Sequence, residues 1–150
     1  MHYPKRPRRL TLAVLTMIMT AGLVVSAAPP AAAEASGSQT WGGFTINVGG
    51  QAIGIPAGRL YHEINGSGRN ASRQFGDFLT ARRICNWRLE FTNWDVNGDL
   101  VWINRGTTRT TCTNHGTRTI DPPRYAVGEA CVRLIVTGRR IASQCHHIGS

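Results

Sequence analysis

The sequence predicts a mostly β protein: a small disulfide-clamped β-sandwich or barrel behind a cleaved signal peptide. Three observations carry that prediction. Apolar and polar residues alternate with period two, turn residues recur at short intervals, and four cysteines sit on the arms of plausible hairpins.

The clearest strand is residues 85–91. Cys85, Trp87, Leu89 and Phe91 alternate with Asn86, Arg88, Glu90 and Thr92, the pattern of a half-buried sheet. Residues 129–148 read as a closing hairpin, with two apolar-rich runs flanking Thr137-Gly138, where Gly tolerates the positive φ of a tight turn. A strict two-residue loop would set Cys131 opposite Gln144. A three-residue loop through Arg139, with a Gly-dependent bulge, would set Cys131 opposite Cys145. Four cysteines allow three connectivities, and hairpin geometry favours Cys85–Cys112 and Cys131–Cys145. Each bridge should contribute on the order of 3 kcal/mol by restricting the unfolded chain. No C-x₂-C spacing points to a metal, and no metal or other cofactor is expected.

Residues 1–35 read as a signal peptide and Ala/Pro-rich cleavage region. Lys5, Arg6, Arg8 and Arg9 precede an uncharged apolar run and then small residues, with cleavage expected after residue 27, 33 or 35. The apolar run is short for a bilayer span, so no membrane span is expected after cleavage. Residues 36–150 are then a single secreted domain, and paired cysteines suit an oxidising compartment. That domain holds thirteen arginines, no lysine and seven carboxylates, a charge of +6. Such a chain should adhere non-specifically to polyanions at low salt.

Along the domain, residues 27–39 read as a flexible lead-in. Residues 41–55 read as extended chain turning at Gly49-Gly50. Residues 59–64 read as a strand with Leu60, His62 and Ile64 on one side. Phe75, Phe78 and Leu79 fit helical spacing, so residues 72–83 are the candidate helix, weakened by Gly76. Asn97-Gly98 signals a type I′ turn. Residues 114–116 read as a turn, and Asp121-Pro122-Pro123 as a stop.

No motif assembles a catalytic site. The run from Asp95 to Asp99 resembles the start of a calcium loop but lacks Gly and carboxylate at the later positions, so a turn is the better reading. His146 and His147 are adjacent on a strand and face opposite ways. A small ribonuclease could use Glu, His and Arg around Tyr61-His62-Glu63, yet His62 and Glu63 also face opposite ways. Trp87 and Trp102 read as core, and Trp94 as exposed. Trp94 with Arg88, Arg105 and Arg109 is the expected binding face, for a cell-wall or other anionic extracellular polymer. Arg139 and Arg140, at the hairpin tip, could instead dock into an extracellular protein as a protease inhibitor does.

The segments 55–62 (IPAGRLYH), 85–88 (CNWR), 130–134 (ACVRL) and 144–148 (QCHHI) resemble those of uncharacterised small secreted proteins of actinobacteria. That resemblance implies export and paired cysteines and supplies no activity. Size, export and two disulfides are also similar to the subtilisin-inhibitor family, though cysteine spacing and reactive-loop sequence differ. The expectation is therefore a secreted, non-enzymatic binding protein, with protease inhibition and ribonuclease activity as alternatives.

Overall fold

The computed structural model describes residues 34–149, so the expected signal peptide lies outside the described residues but for its last two positions. Ten strands run β1 (Ala35–Trp41), β2 (Phe44–Val48), β3 (Gln51–Ile55), β4 (Gly58–Ser67), β5 (Asn70–Ile84), β6 (Trp87–Asp95), β7 (Leu100–Arg105), β8 (Thr113–Ile120), β9 (Gly128–Val136) and β10 (Arg139–Ile148). They form two four-stranded antiparallel sheets, ordered β1-β4-β5-β8 and β10-β9-β6-β7, and a separate β2-β3 hairpin. Among the described residues no strand pairing joins the two large sheets, so the fold is a sandwich and not a closed barrel.

Alternation dictates which side chains meet between the layers. Leu60 and Phe78 from one sheet pack with Leu89, Phe91, Val132, Leu134 and Val136 from the other, all essentially without solvent contact. Burying each such side chain stabilises the fold by about 1.5–3 kcal/mol relative to leaving it exposed. Trp87 and Trp102 pack against this core while keeping one edge partly open. Ile46 and Ile53 of the β2-β3 hairpin lie against it too.

The candidate helix over residues 72–83 is instead part of β5, the longest strand. Its inward face carries Gln74, Gly76, Phe78, Thr80 and Ile84, while Phe75 and Leu79 point outward. The core-facing set is too small and polar to show as apolar alternation, so the Phe/Leu spacing mimicked a helix. Packing explains the small residue. A Cβ on Gly76 would lie 2.6 Å from Val132 Cγ2, so glycine lets the opposite sheet approach.

Residues 114–116 likewise do not turn. Gly116 lies within β8, paired with Phe78, and a Cβ there would meet Trp87 at 2.5 Å. The expected lead-in is strand from Ala35 onward, paired with β4 from Ala35↔Ile64 to Trp41↔Gly58. Its polar sequence hid it because an edge strand needs backbone pairing more than apolar side chains.

Both expected disulfides are present. Cys85 lies where the chain crosses from β5 to β6, and Cys112 where it returns from β7 to β8, so this bridge ties two of the three inter-sheet crossings together. The closing hairpin combines both anticipated geometries. Val136 pairs with Arg139, making a two-residue loop with φ of 50° at Thr137 and 78° at Gly138. A bulge at Ile141 then shifts the register and puts Cys131 opposite Cys145. The turn after β6 is not type I′, because only Gly98 has positive φ there. The Asp95 carbonyl accepts from the Gly98 amide at 3.0 Å, and the Asp95 amide donates to the Asp99 carbonyl at 2.9 Å.

The interior has a polar end. The Gln74 amide donates to His62 Nε2 at 2.8 Å, and its carbonyl oxygen accepts the Tyr125 hydroxyl at 2.8 Å. Tyr125 enters from the β8–β9 connection, where its backbone is held by Arg69, and stacks on Trp102 at 5.5 Å. The His146 ring stacks on His62 at 4.9 Å and reaches the His62 carbonyl at 3.2 Å. Burial, then the neighbouring His146, pushes the His62 pKa down to about 3. His62 is therefore a neutral acceptor at physiological pH.

Candidate functional site

The outward face of β10-β9-β6-β7 carries the polar half of each alternation. Register sets its side chains in rows: Arg105, Glu90, Arg133 and Ser143; then Thr92, Cys131 and Cys145; then Trp94, Glu129 and His147. Trp94, Glu129, His147, Cys131 and Cys145 from the last two rows, with Arg133, Arg140 and the turn from Asp95 to Gly98, line an open cleft of about 680 Å³.

Trp94 is half-buried and fixed from two sides. Its Nε1 donates to Thr92 Oγ1 at 3.0 Å, and the Arg133 guanidinium sits 4.8 Å from its ring centroid. A cation–π contact of this exposure is worth about 0.5–1 kcal/mol, enough to hold the guanidinium over the ring. Burial, and then the positive charge of Arg140, lowers the Arg133 pKa from its ordinary value. Asp95 belongs to the turn. Its Oδ1 accepts from the amides of Asp99 and Asn97, both at 2.9 Å, and these bonds, the Asp99 amide foremost, hold its carboxyl below the usual range. The cleft therefore balances Arg133 and Arg140 against Asp95 and Glu129, beside an indole and His147.

Glu129, Cys131 and Cys145 bring an oxygen and two sulfurs within 4.8 Å of one another. Both sulfurs are bound in the disulfide, so the group offers a cation only one carboxylate. Ser143 Oγ lies 3.6 Å from Cys145 Sγ and not beside an activating base.

The expected face of Trp94, Arg88, Arg105 and Arg109 divides in two. Trp94 and Arg88 are six residues apart on β6, about 20 Å of strand. At the far end Arg88 binds Glu90 at 2.8 Å, and Arg105 approaches the same carboxylate at 3.7 Å. Arg109 is placed by its backbone, which bridges to Trp87. Arg140 lines the Trp94 cleft, whereas Arg139 stands exposed at the hairpin tip.

Groups for ribonuclease chemistry do not converge. His62 is inside the sandwich. Glu63 lies outside, bound by Tyr61 at 2.9 Å and Arg73 at 2.6 Å, and the Arg73 hydrogen bond leads in holding its carboxyl low. His115 pairs with Asp77 at 2.8 Å. From the register, Glu63 and His115 stand two strands and four residues apart, about 16 Å between Cα atoms. As expected, His146 and His147 face opposite ways, His146 into the interior and His147 to the cleft.

Sequence reasoning passed over Arg133 and Arg118. Arg133 was visible as the polar member of Val132-Arg133-Leu134, but nothing local placed it over Trp94. No family model matches the chain, and neither does any curated protein or solved structure.

Proposed function

We propose that the protein is a secreted, non-catalytic binding protein whose Trp94 cleft takes a segment of an extracellular glycan such as a cell-wall polymer. One observation carries this reading: an immobilised indole stands among two guanidiniums, two carboxylates and an imidazole in an open cleft on a rigid sheet. Sugar rings offer apolar C–H faces for an aromatic surface and hydroxyls that both donate and accept, which suits a charge-balanced lining. A polyphosphate would favour a cleft without carboxylates. Two disulfides agree with an oxidising compartment, and the signal-like residues 1–35 point to export. Protease inhibition is less favoured, since positive φ at both Thr137 and Gly138 is not the extended conformation that a strand-adding partner accepts.

The test is co-sedimentation of oxidised residues 36–150 with purified cell walls at low and high salt. Retention at high salt, lost in Trp94→Ala and Glu129→Gln, is expected. Binding only at low salt would reduce the interaction to the +6 charge, and retention indifferent to Trp94 would place it outside the cleft; either overturns the reading.

A further inference from the structure

At the opposite corner, where β7 returns towards β8, a smaller pocket of about 180 Å³ is lined by Arg105, Arg109 and Arg118, the hydroxyl residues Thr107 and Thr117, and Trp87. No carboxylate lines it. The acid beside Arg105, Glu90, is held by Arg88 at 2.8 Å, leaving Arg105 loosely placed at 3.7 Å with its side chain mostly in solvent. Arg118 is the fixed member. Its Nη1 donates to the carbonyls of Leu89 at 3.0 Å and Asn104 at 2.9 Å, its Nη2 donates to Asn104 Oδ1, and its guanidinium lies 5.3 Å from the Phe91 ring centroid. The Trp87 indole N–H is a buried donor with no protein acceptor.

Three arginines line the pocket against the single carboxylate of Glu90, which Arg88 already shares, so an excess of positive charge remains for an anion to offset. Rigid N–H forks match tetrahedral oxygens, and the pocket is smaller than the ~300 Å³ at which sites for drug-sized ligands begin. We propose that this pocket binds one tetrahedral oxyanion, either free inorganic phosphate or a phosphodiester within a polymer, with Arg105 and Arg109 closing on it and Arg118 holding its position. The proposal does not rest on the Trp94 cleft. A polymer carrying both sugar and phosphate would engage both sites, but each can fail alone.

Calorimetric titration of the oxidised protein with inorganic phosphate at fixed ionic strength is the test. Saturable one-site binding is expected, weakened about tenfold in Arg105→Ala and in Arg109→Ala, and unchanged in Trp94→Ala. Both arginine side chains are exposed, so neither truncation removes core packing. Glu90→Gln should tighten binding, because it frees Arg105 from the competing carboxylate. Competition by a glycerol-phosphate diester oligomer identifies the phosphodiester as the source; failure to compete identifies the free anion. Absence of saturable binding at millimolar phosphate overturns the proposal. So does an equal loss in Arg59→Ala, an exposed arginine on the other sheet, since that would reflect net charge alone.

Discussion

The two ends of the sandwich interior are built on different physics. At one end Phe78, Leu89, Phe91 and Leu134 interlock with the small residues Gly76 and Gly116, and shape complementarity holds the sheets together. At the other, His62, Gln74 and Tyr125 form a hydrogen-bonded chain closed by His146 and Trp102. The apolar end is indifferent to pH and intolerant of added volume. The polar end should be the reverse, because its side chains must keep one protonation state to stay paired.

Adding volume at the apolar end should have the largest effect. In Gly116→Val the new Cβ meets Trp87 at 2.5 Å and Phe78 at 2.6 Å, neither of which can swing into solvent. A loss of about 3 kcal/mol or more is expected in the urea midpoint, or no folded protein at all. A near-neutral result would mean that the sheets slide apart cheaply.

Acid should act next, and at the polar end. His62 titrates near its ordinary value of about 6.5 when unfolded and near 3 when folded, so the unfolded chain takes up the extra proton between those values. Its contribution is intact above pH 6.5 and falls as pH drops towards 3, by about 2 kcal/mol at pH 5. The titratable group stacked on it is His146, with Tyr125 reached through Gln74, and a charged His146 adds to the penalty. Urea midpoints at pH 7 and pH 5 should separate in the parent protein and converge in His62→Gln. Equal separation in both would move the acid sensitivity elsewhere.

The smallest change sharpens the contrast. Tyr125→Phe keeps the ring on Trp102 but leaves Gln74 Oε1 unpaired in the interior, which should cost about 1–2 kcal/mol. The same hydroxyl deletion would be harmless if that end were open to water.

What could be read in advance followed from local rules. In β4, β6 and β9 most of the buried face is apolar, with His62 and Asn93 as the exceptions, so alternation set their orientation. In β5 and β8 the buried face includes Gln74, Gly76, Thr80, Gly116 and Arg118, and residue identity misled. The cysteine pairing was legible because each pair brackets or sits on the arms of a hairpin. The cleft was half legible: Trp94 and Arg140 stood out as exposed, but their meeting with Arg133 and Glu129 depends on strand neighbours that sequence does not order.

By itself, then, the sequence indicated a mostly β chain and favoured Cys85–Cys112 and Cys131–Cys145, since period and turn chemistry act over a few residues. Only the tertiary structure decided that glycines face bulky residues across the layers, that His62 lies against His146, and that the arginines gather at two separate corners. Those pairings depend on sheet order and on a single bulge at Ile141, and one residue of register would reverse every face they rest on.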